Sequence, residues 1–446
     1  MQNMFILLAS YIFYAWWDYR FLFLLIFSTL LDFYTGQRIH EAKEKKEKKI
    51  WLLISVLINL GLLIYFKYCN FFIDSLQTAF KALGYSSNIS TLSIVLPVGI
   101  SFYTFHGLSY VFDIYNDKII KTKTFVDYAV FVCFFPLLVA GPIERANHLL
   151  PEFQKKRLFN YGLAVIGMRQ ILWGLFKKVV IADNCAEQVD AIFIDYTSQT
   201  GMQLFLGMFL FHVQIYADFS GYSEIASGLS RLLGFEILKN FSYPYFSKSI
   251  DEFWKKWHIS LTSWFRDYLY FPLGGSKLGQ FKQVKNVFII FLISGLWHGA
   301  NWTFIAWGLL HALLFLPTIL MKKSINRRLP NLFSIIFTNL LIMIGWLFFR
   351  SITIDDAFHY LYSMIVKLSL HPWSILLVFK SFLIYGIILL FLLEWINRKQ
   401  EFGFSFLNEA ALMNNSIIRL LLYTFIGFLI IINLPNSAKS FIYFQF

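Results

Sequence analysis

SGLWHGANWTFIAWGLLHALLF, residues 294–315, sets His298 and His311 among tryptophans, glycines and apolar side chains. Without the WHG interruption the stretch would read as membrane helix, since about 20 apolar residues cross a hydrocarbon core roughly 30 Å thick. An ionisable residue inside such a span is costly unless it faces a cavity or a partner. At 1.5 Å per residue, a span entering near Val284 carries His298 about 20 Å deep, and one returning near Leu320 carries His311 about 15 Å deep. The two are therefore expected at a similar level near mid-bilayer. A neutral imidazole there can take a proton from a hydroxyl; the alternative is a histidine pair bridging helices through hydrogen bonds.

The rest of the chain fits this setting. Of its 446 residues, 58% are hydrophobic, 20% aromatic and only 15% charged, against about a quarter charged in soluble domains. Apolar runs recur at Met4–Trp17, Phe21–Thr35, Ile50–Cys69, Ile94–Tyr115, Phe125–Ala140, Tyr161–Ile181, Met202–Ala217, Phe219–Phe235, Val284–Gly299, Trp302–Leu320, Leu332–Phe349, Ile375–Trp395 and Ile417–Leu434. The expectation is an all-α, polytopic integral membrane protein with about eleven to thirteen membrane helices, re-entrant ones included. Broken segments at membrane depth survive only around protein or a watery cavity, so a helical bundle enclosing a polar cavity is the expected architecture. No repeat or soluble linker divides residues 1–446, which predicts a single membrane domain.

The formal charge of +13 does not point to nucleic acid, because the basic residues gather in short loops between apolar spans. The runs Arg38–Lys49 and Lys322–Arg328 are expected in the cytoplasm, and threading the spans between them leaves the C-terminus outside. The same threading puts Lys155–Arg157 outside and the acidic stretch Asp183–Asp195 inside, against the charge rule, so a re-entrant segment is expected there. Cys69, Cys133 and Cys185 lack metal-ligand or paired spacing and read as packing residues.

Two further stretches break the apolar pattern. IDEFWKKWHISLTSWFRDYLYFPLGG, residues 250–275, alternates aromatic and charged residues and predicts an interfacial or re-entrant amphipathic helix. Trp254, Trp257, Trp264 and Tyr268 would be its headgroup anchors, with His258, Arg266 and Asp267 lining a cavity mouth and holding a phosphate or carboxylate; anchoring alone is the alternative. In HVQIYADFSGYSEIASGLSRLLGF, residues 212–235, the DFSG turn is expected to break the helix. Its Asp218, Ser220, Tyr222, Glu224 and Arg231 would form a buried structural network, with substrate contact at Asp218 as the other reading.

Together with LPVGISFYTFHGLSYVFDIY, VAGPIERANHLLPEF, WGLFKKVVIADN, WLFFRS and the closing FIYFQF, these stretches resemble the membrane-bound O-acyltransferase family, in the branch of bacterial alginate O-acetylation proteins. The resemblance implies a ring of tilted helices around a central tunnel. It also implies that His298 in GLWHGA is catalytic, that His258 in KKWHISL is the second functional histidine, and that His311 supports them. Tyr443 in the aromatic tail resembles a tyrosine proposed to carry the acyl group briefly, unless the tail is only an interfacial anchor. Trp297 and Asn301, flanking His298, join Arg266, Asp267 and Asp218 as candidate substrate-binding residues.

The donor implied is acetyl-CoA, with no bound cofactor and no metal. The acceptor implied is a cell-envelope polysaccharide such as alginate or peptidoglycan. A periplasmic or surface acetyltransferase would be the partner and the bacterial inner membrane the location. Two departures stand out: relatives usually begin with one more apolar segment, and Ala217 replaces the aromatic or polar residue common before DFSG. The rival readings are a transporter or channel, which also uses broken helices and buried charges, and an O-acyltransferase acting on a lipid or a protein.

Overall fold

Apolar side chains at helical spacing fold nearly every segment into helix, and no strand occurs among the described residues. The structure, a computed structural model, describes residues 1–85, 90–139, 141–321, 331–368, 381–400, 404, 415–435 and 441–442. It divides into two compact units, residues 1–159 with 233–238, and residues 160–232 with 239–446.

In the first unit the two expected N-terminal spans are the two arms of α1 (Gln2–Glu41), helices that meet at a kink. Its backbone leaves helical geometry only at Asp18 (φ −161°, ψ 109°), whose carboxylate accepts the Arg20 amide at 2.9 Å and pairs with its guanidinium at 2.6 Å. Helix α2 (Lys45–Leu63) continues through a π-helical turn at Ile64–Tyr68 into α3 (Cys69–Ala82), well past the expected end at Cys69. A buried knot ties α1 to α2: Asp32 Oδ1 accepts from Ser55 Oγ at 2.6 Å and Asn59 Nδ2 at 2.7 Å.

After α4 (Ile100–Tyr115) the expected span Phe125–Ala140 proves broken, into α5 (Phe125–Cys133) and α6 (Phe135–Leu138). The break is at Phe134 (φ −52°, ψ 108°), and Pro136, in the first turn of α6, has no amide to donate back across it. Helix α7 (Ala146–Gln154) follows. At its start the buried Glu144 accepts the Leu238 amide at 2.5 Å and meets His148 Nδ1 at 2.9 Å.

The second unit begins with α8 (Tyr161–Leu175), which runs through a π-helical turn at Phe176–Ala182 into α9 (Asp183–Ile194). The acidic stretch, expected near a re-entrant segment, begins in continuous helix. Asp183 meets Lys178 at 3.0 Å, and Asp190 meets Arg350 at 2.8 Å. DFSG does not break a helix, since α10 runs unbroken from Gly201 to Leu232. The glycines serve packing: a Cβ on Gly174 would strike the Gly221 carbonyl, and one on Gly228 the Gly167 carbonyl. Small residues on both faces let α8 and α10 approach backbone to backbone, as membrane helices do.

Next come two short helices, α11 (Ile250–Lys256) and α12 (Ile259–Phe265), then α13 (Gln280–His298), α14 (Trp302–Leu320), α15 (Asn331–Arg350) and α16 (Ile354–Val366). The unit ends with α17 (Ser381–Asn397) and α18 (Ser416–Ile432). Lys322–Arg328 lies outside the described residues, as do the first residues of the expected span at Ile375. Among the described residues, the run Lys45–Ala82 and helices α10, α14 and α15 are long and apolar enough to cross a membrane; α17 and α18 are apolar and 17 residues each. Exposed side chains such as Phe5, Phe333, Ile388 and Leu421 suit lipid and not water. This is a multi-pass membrane protein. All three cysteines are free, with Cys133 and Cys185 buried.

Candidate active site

The site grows from the break between α11 and α12. Ser249 caps α11 by accepting the Glu252 amide, and the helix ends at Lys256. Trp257 is extended, and His258 takes the left-handed region (φ 43°, ψ 54°) before α12 begins. A non-glycine residue there is strained by about 1–3 kcal/mol, a cost concentrated at functional sites. What holds it is Asn240, whose carbonyl accepts the Ile259 amide at 2.9 Å.

Asn240 also fixes the imidazole. Its Nδ2 donates to Ser223 Oγ at 3.1 Å and its Oδ1 accepts from Ser260 Oγ at 2.5 Å. His258 Nδ1 lies 3.3 Å from that Oδ1 and donates to it in the tautomer that carries its ring proton there. The remaining nitrogen, Nε2, carries a lone pair and has no partner among the described residues. In this tautomer His258 is a proton acceptor awaiting a donor.

The opposite wall comes from the antiparallel pair α13 and α14. A Cβ on Gly295 would strike the Phe304 carbonyl, and one on Gly308 the Phe291 carbonyl, so the two backbones touch. His298 and His311 both pack against the Trp307 ring, at 5.1 and 4.9 Å, as their expected placement at a similar level requires. His298 is the last residue of α13. Its ring lies edge-on to Trp297 (5.1 Å), Trp307 (5.1 Å) and Phe349 (5.4 Å). Trp307 separates it from His311, whose ring packs edge-on to Trp254 at 5.0 Å.

Between these walls lies a cavity of about 280 Å³. His258 and His298 both line it, with ring centroids 6.4 Å apart. Its apolar lining includes Trp254 and Phe291, and it reaches the side chains of Asp251, Lys255 and Arg266. The last two are 74% and 55% exposed and pair with Asp251 and Asp267, so the charged end faces outward and the histidine end is enclosed. Trp254, Trp257 and Trp264 are buried, which corrects their reading as headgroup anchors, and Trp254 lines the cavity. Among the described residues no three His, Cys, Asp or Glu side chains gather as metal ligands.

The remaining candidates fall elsewhere. Asp267 pairs with Arg266 at 2.9 Å. Trp297 touches both cavity histidines, 5.9 Å from His258. Asn301 caps α14, accepting the Thr303 amide at 3.1 Å and donating to the Ile352 carbonyl at 3.0 Å. His311 is fully buried outside the cavity lining. Asp218 meets Lys178 at 2.8 Å and accepts the Ile442 amide at 2.8 Å. Tyr443 lies outside the described residues.

Sequence reading missed Asn240, Lys177, Lys178 and Glu394. Lys177 meets Glu394 at 2.7 Å, and Tyr216 donates to the same carboxylate at 2.8 Å. Two adjacent lysines inside the apolar run Tyr161–Ile181 were the available signal; a lone asparagine before FSYPYF offered none.

The family pattern described as MBOAT, membrane-bound O-acyltransferase family, matches residues 116–354, which carry His258, His298 and His311. The chain belongs to this family. It is an acyltransferase. A probable alginate O-acetylase AlgI of Pseudomonas putida is 41% identical over 351 residues, 78% of this chain and 72% of the relative. A peptidoglycan O-acetyltransferase of Helicobacter pylori is 34% identical over 392 residues, 81% and 73% of the two chains. A teichoic acid D-alanyltransferase of Bacillus subtilis is 31% identical over 233 residues, 50% and 58%. In this acyltransferase the enclosed pair His258 and His298 thus sits inside the matched region.

Proposed function

We propose that the chain moves an acetyl group from acetyl-CoA toward an extracytoplasmic polysaccharide of the cell envelope, from the bacterial inner membrane and together with a periplasmic or surface acetyltransferase. The observation that carries this reading is the pair His258 and His298 in the wall of one cavity. The names of the relatives, an alginate O-acetylase and a peptidoglycan O-acetyltransferase, support the acceptor class. The narrow, largely apolar cavity with Lys255 and Arg266 at its exposed end suits a slender thioester arm whose phosphates stay at the cations.

In the proposed step His298 takes the proton of an acceptor hydroxyl as the oxygen attacks the thioester carbonyl carbon. The C–S bond breaks, and the thiolate leaves to be protonated as the free thiol. His258 holds its Nε2 lone pair ready for a hydroxyl donor. The first acceptor is Tyr443, a partner's hydroxyl, or the glycan itself. A His298→Ala chain that inserts normally is expected to lose O-acetylation by at least roughly a hundredfold, the usual worth of a general base. Full polymer acetylation by that variant, measured as ester content per sugar, would rule the assignment out.

A further inference from the structure

A second cavity, of about 390 Å³, lies in the same unit and shares no lining residue with the one that holds His258 and His298. Phe209 and His212 of α10, Asn339 and Met343 of α15, the 3₁₀ turn Pro244–Phe246 and Phe391 of α17 enclose it. The polar groups in its wall are engaged by protein. Asn339 Nδ2 donates to the carbonyls of Tyr245 at 2.8 Å and Ile335 at 2.7 Å, and its Oδ1 meets His212 Nε2 at 3.0 Å. The Tyr245 hydroxyl donates to the His212 carbonyl at 2.6 Å. What the cavity offers a ligand is therefore aromatic faces and aliphatic side chains.

Its mouth faces sideways, into the bilayer. On α15, Phe333, Ile336, Phe337 and Leu340 recur at i, i+3, i+4 and i+7 and are 66%, 50%, 47% and 40% exposed, one apolar stripe that a spanning helix turns to lipid. Ile336 and Leu340 belong both to that stripe and to the cavity lining. Helix α15 runs from Asn331 to Arg350, so at 1.5 Å per residue Asn339 lies about 12 Å from one end and about 16 Å from the other. At the middle of a span the surroundings are hydrocarbon, and water-soluble ligands have no path to such an opening.

We infer that this cavity holds one acyl chain of a membrane phospholipid, which enters between Ile336 and Leu340 from the side and leaves its headgroup at the membrane surface. The volume falls within the roughly 300–1,000 Å³ of small-ligand sites, whereas a partner helix, about 10 Å across, is too wide for it. Moving a chain from lipid into protein gains no hydrophobic free energy, so what retains it is dispersion against close walls, which the aromatic rings supply. The chain packs behind the catalytic wall: Tyr245 stacks on His212 at 3.6 Å and on Trp257 at 6.0 Å, and Trp257 is the residue before His258.

The test uses the full chain in phosphatidylcholine vesicles that contain a phosphatidylcholine with a diazirine midway along one acyl chain. After irradiation, labelled residues are mapped by peptide mass spectrometry. Lipid that only surrounds the protein labels the outward stripe, Phe333 and Phe337. A chain inside the cavity labels Met343 as well, although that side chain is only 3% exposed. Ile336→Trp and Leu340→Trp each set an indole at the mouth, on exposed positions where substitutions are well tolerated. Each should lower the label at Met343 roughly tenfold, because indole and chain cannot share the space, and leave the label at Phe333 unchanged.

Label confined to the exposed stripe in the wild type overturns the site. Label at Met343 that persists undiminished in both tryptophan variants overturns entry through this mouth. A free fatty acid carrying the same diazirine, added at equal concentration, separates the two sources of an acyl chain: labelling of Met343 by the phospholipid probe supports the assignment, and labelling by the acid alone overturns it.

Discussion

At the scale of single residues, chemistry at this site depends on which imidazole nitrogen is bare. Asn240 bears on this for His258, because its Oδ1 lies 3.3 Å from Nδ1 and accepts from it in the tautomer that leaves Nε2 bare. Replacing Asn240 with leucine removes that acceptor and frees the ring to change tautomer; kcat should fall roughly tenfold to a hundredfold, within the worth of a positioned base, with KM for the donor nearly unchanged. Asn240→Asp keeps an acceptor and should restore most of the rate. Equal losses in both variants would mean that Asn240 matters only to the fold of the His258 turn. His258 and His298 were legible in the sequence because polar rings interrupt apolar runs. Asn240 was not: an asparagine before a turn is ordinary, and its pairing with the segment beginning at Ile259 is formed only in three dimensions.

Among helices, the apolar runs announced nearly every element, but their joints depended on contacts that spacing does not reveal. DFSG reads as a turn because Asp, Ser and Gly favour turns. It is helix because Gly221 is where α8 crosses α10, and the backbone contact with Gly174 outweighs the helical cost of glycine, about 1 kcal/mol. Trp254 and Trp257 read as interfacial because they alternate with charges, yet they are buried because α11 is only 7 residues long and their rings pack on Trp307 and Trp346. Leucine at Gly221 should destabilise the helix pair by about 1–3 kcal/mol, the usual cost of overpacking, seen as a lower midpoint of thermal unfolding in detergent. The same substitution at Gly61, where no atom stands within 4 Å of a would-be Cβ, should leave the midpoint nearly unchanged. Similar midpoints for the two would show that the seam is looser than the contacts require.

Over the whole molecule, composition gave the membrane class at once, while the contacts that close the fold join distant parts of the chain. Tyr216 reaches Glu394 across 178 positions, and Glu144 reaches Leu238 across 94. The second of these also carries a titration outside the membrane spans. The carboxylate of Glu144 holds the His148 imidazole above its ordinary pKa, through a hydrogen bond that outweighs partial burial. A histidine whose pKa is raised in the folded state contributes stability that is fully present below its unfolded value, about 6.5. That contribution is lost as pH climbs through the folded value. Wild-type protein should therefore melt at progressively lower temperature as pH rises from about 6.5 through the next units, and His148→Gln, which cannot titrate, should flatten that slope. Because Glu144 also accepts the Leu238 amide, hydrogen exchange at Leu238, corrected for its intrinsic pH dependence, should speed up over the same range in the wild type alone. A slope shared by both proteins would place the titrating group elsewhere and leave the Glu144–His148 contact without a part in it.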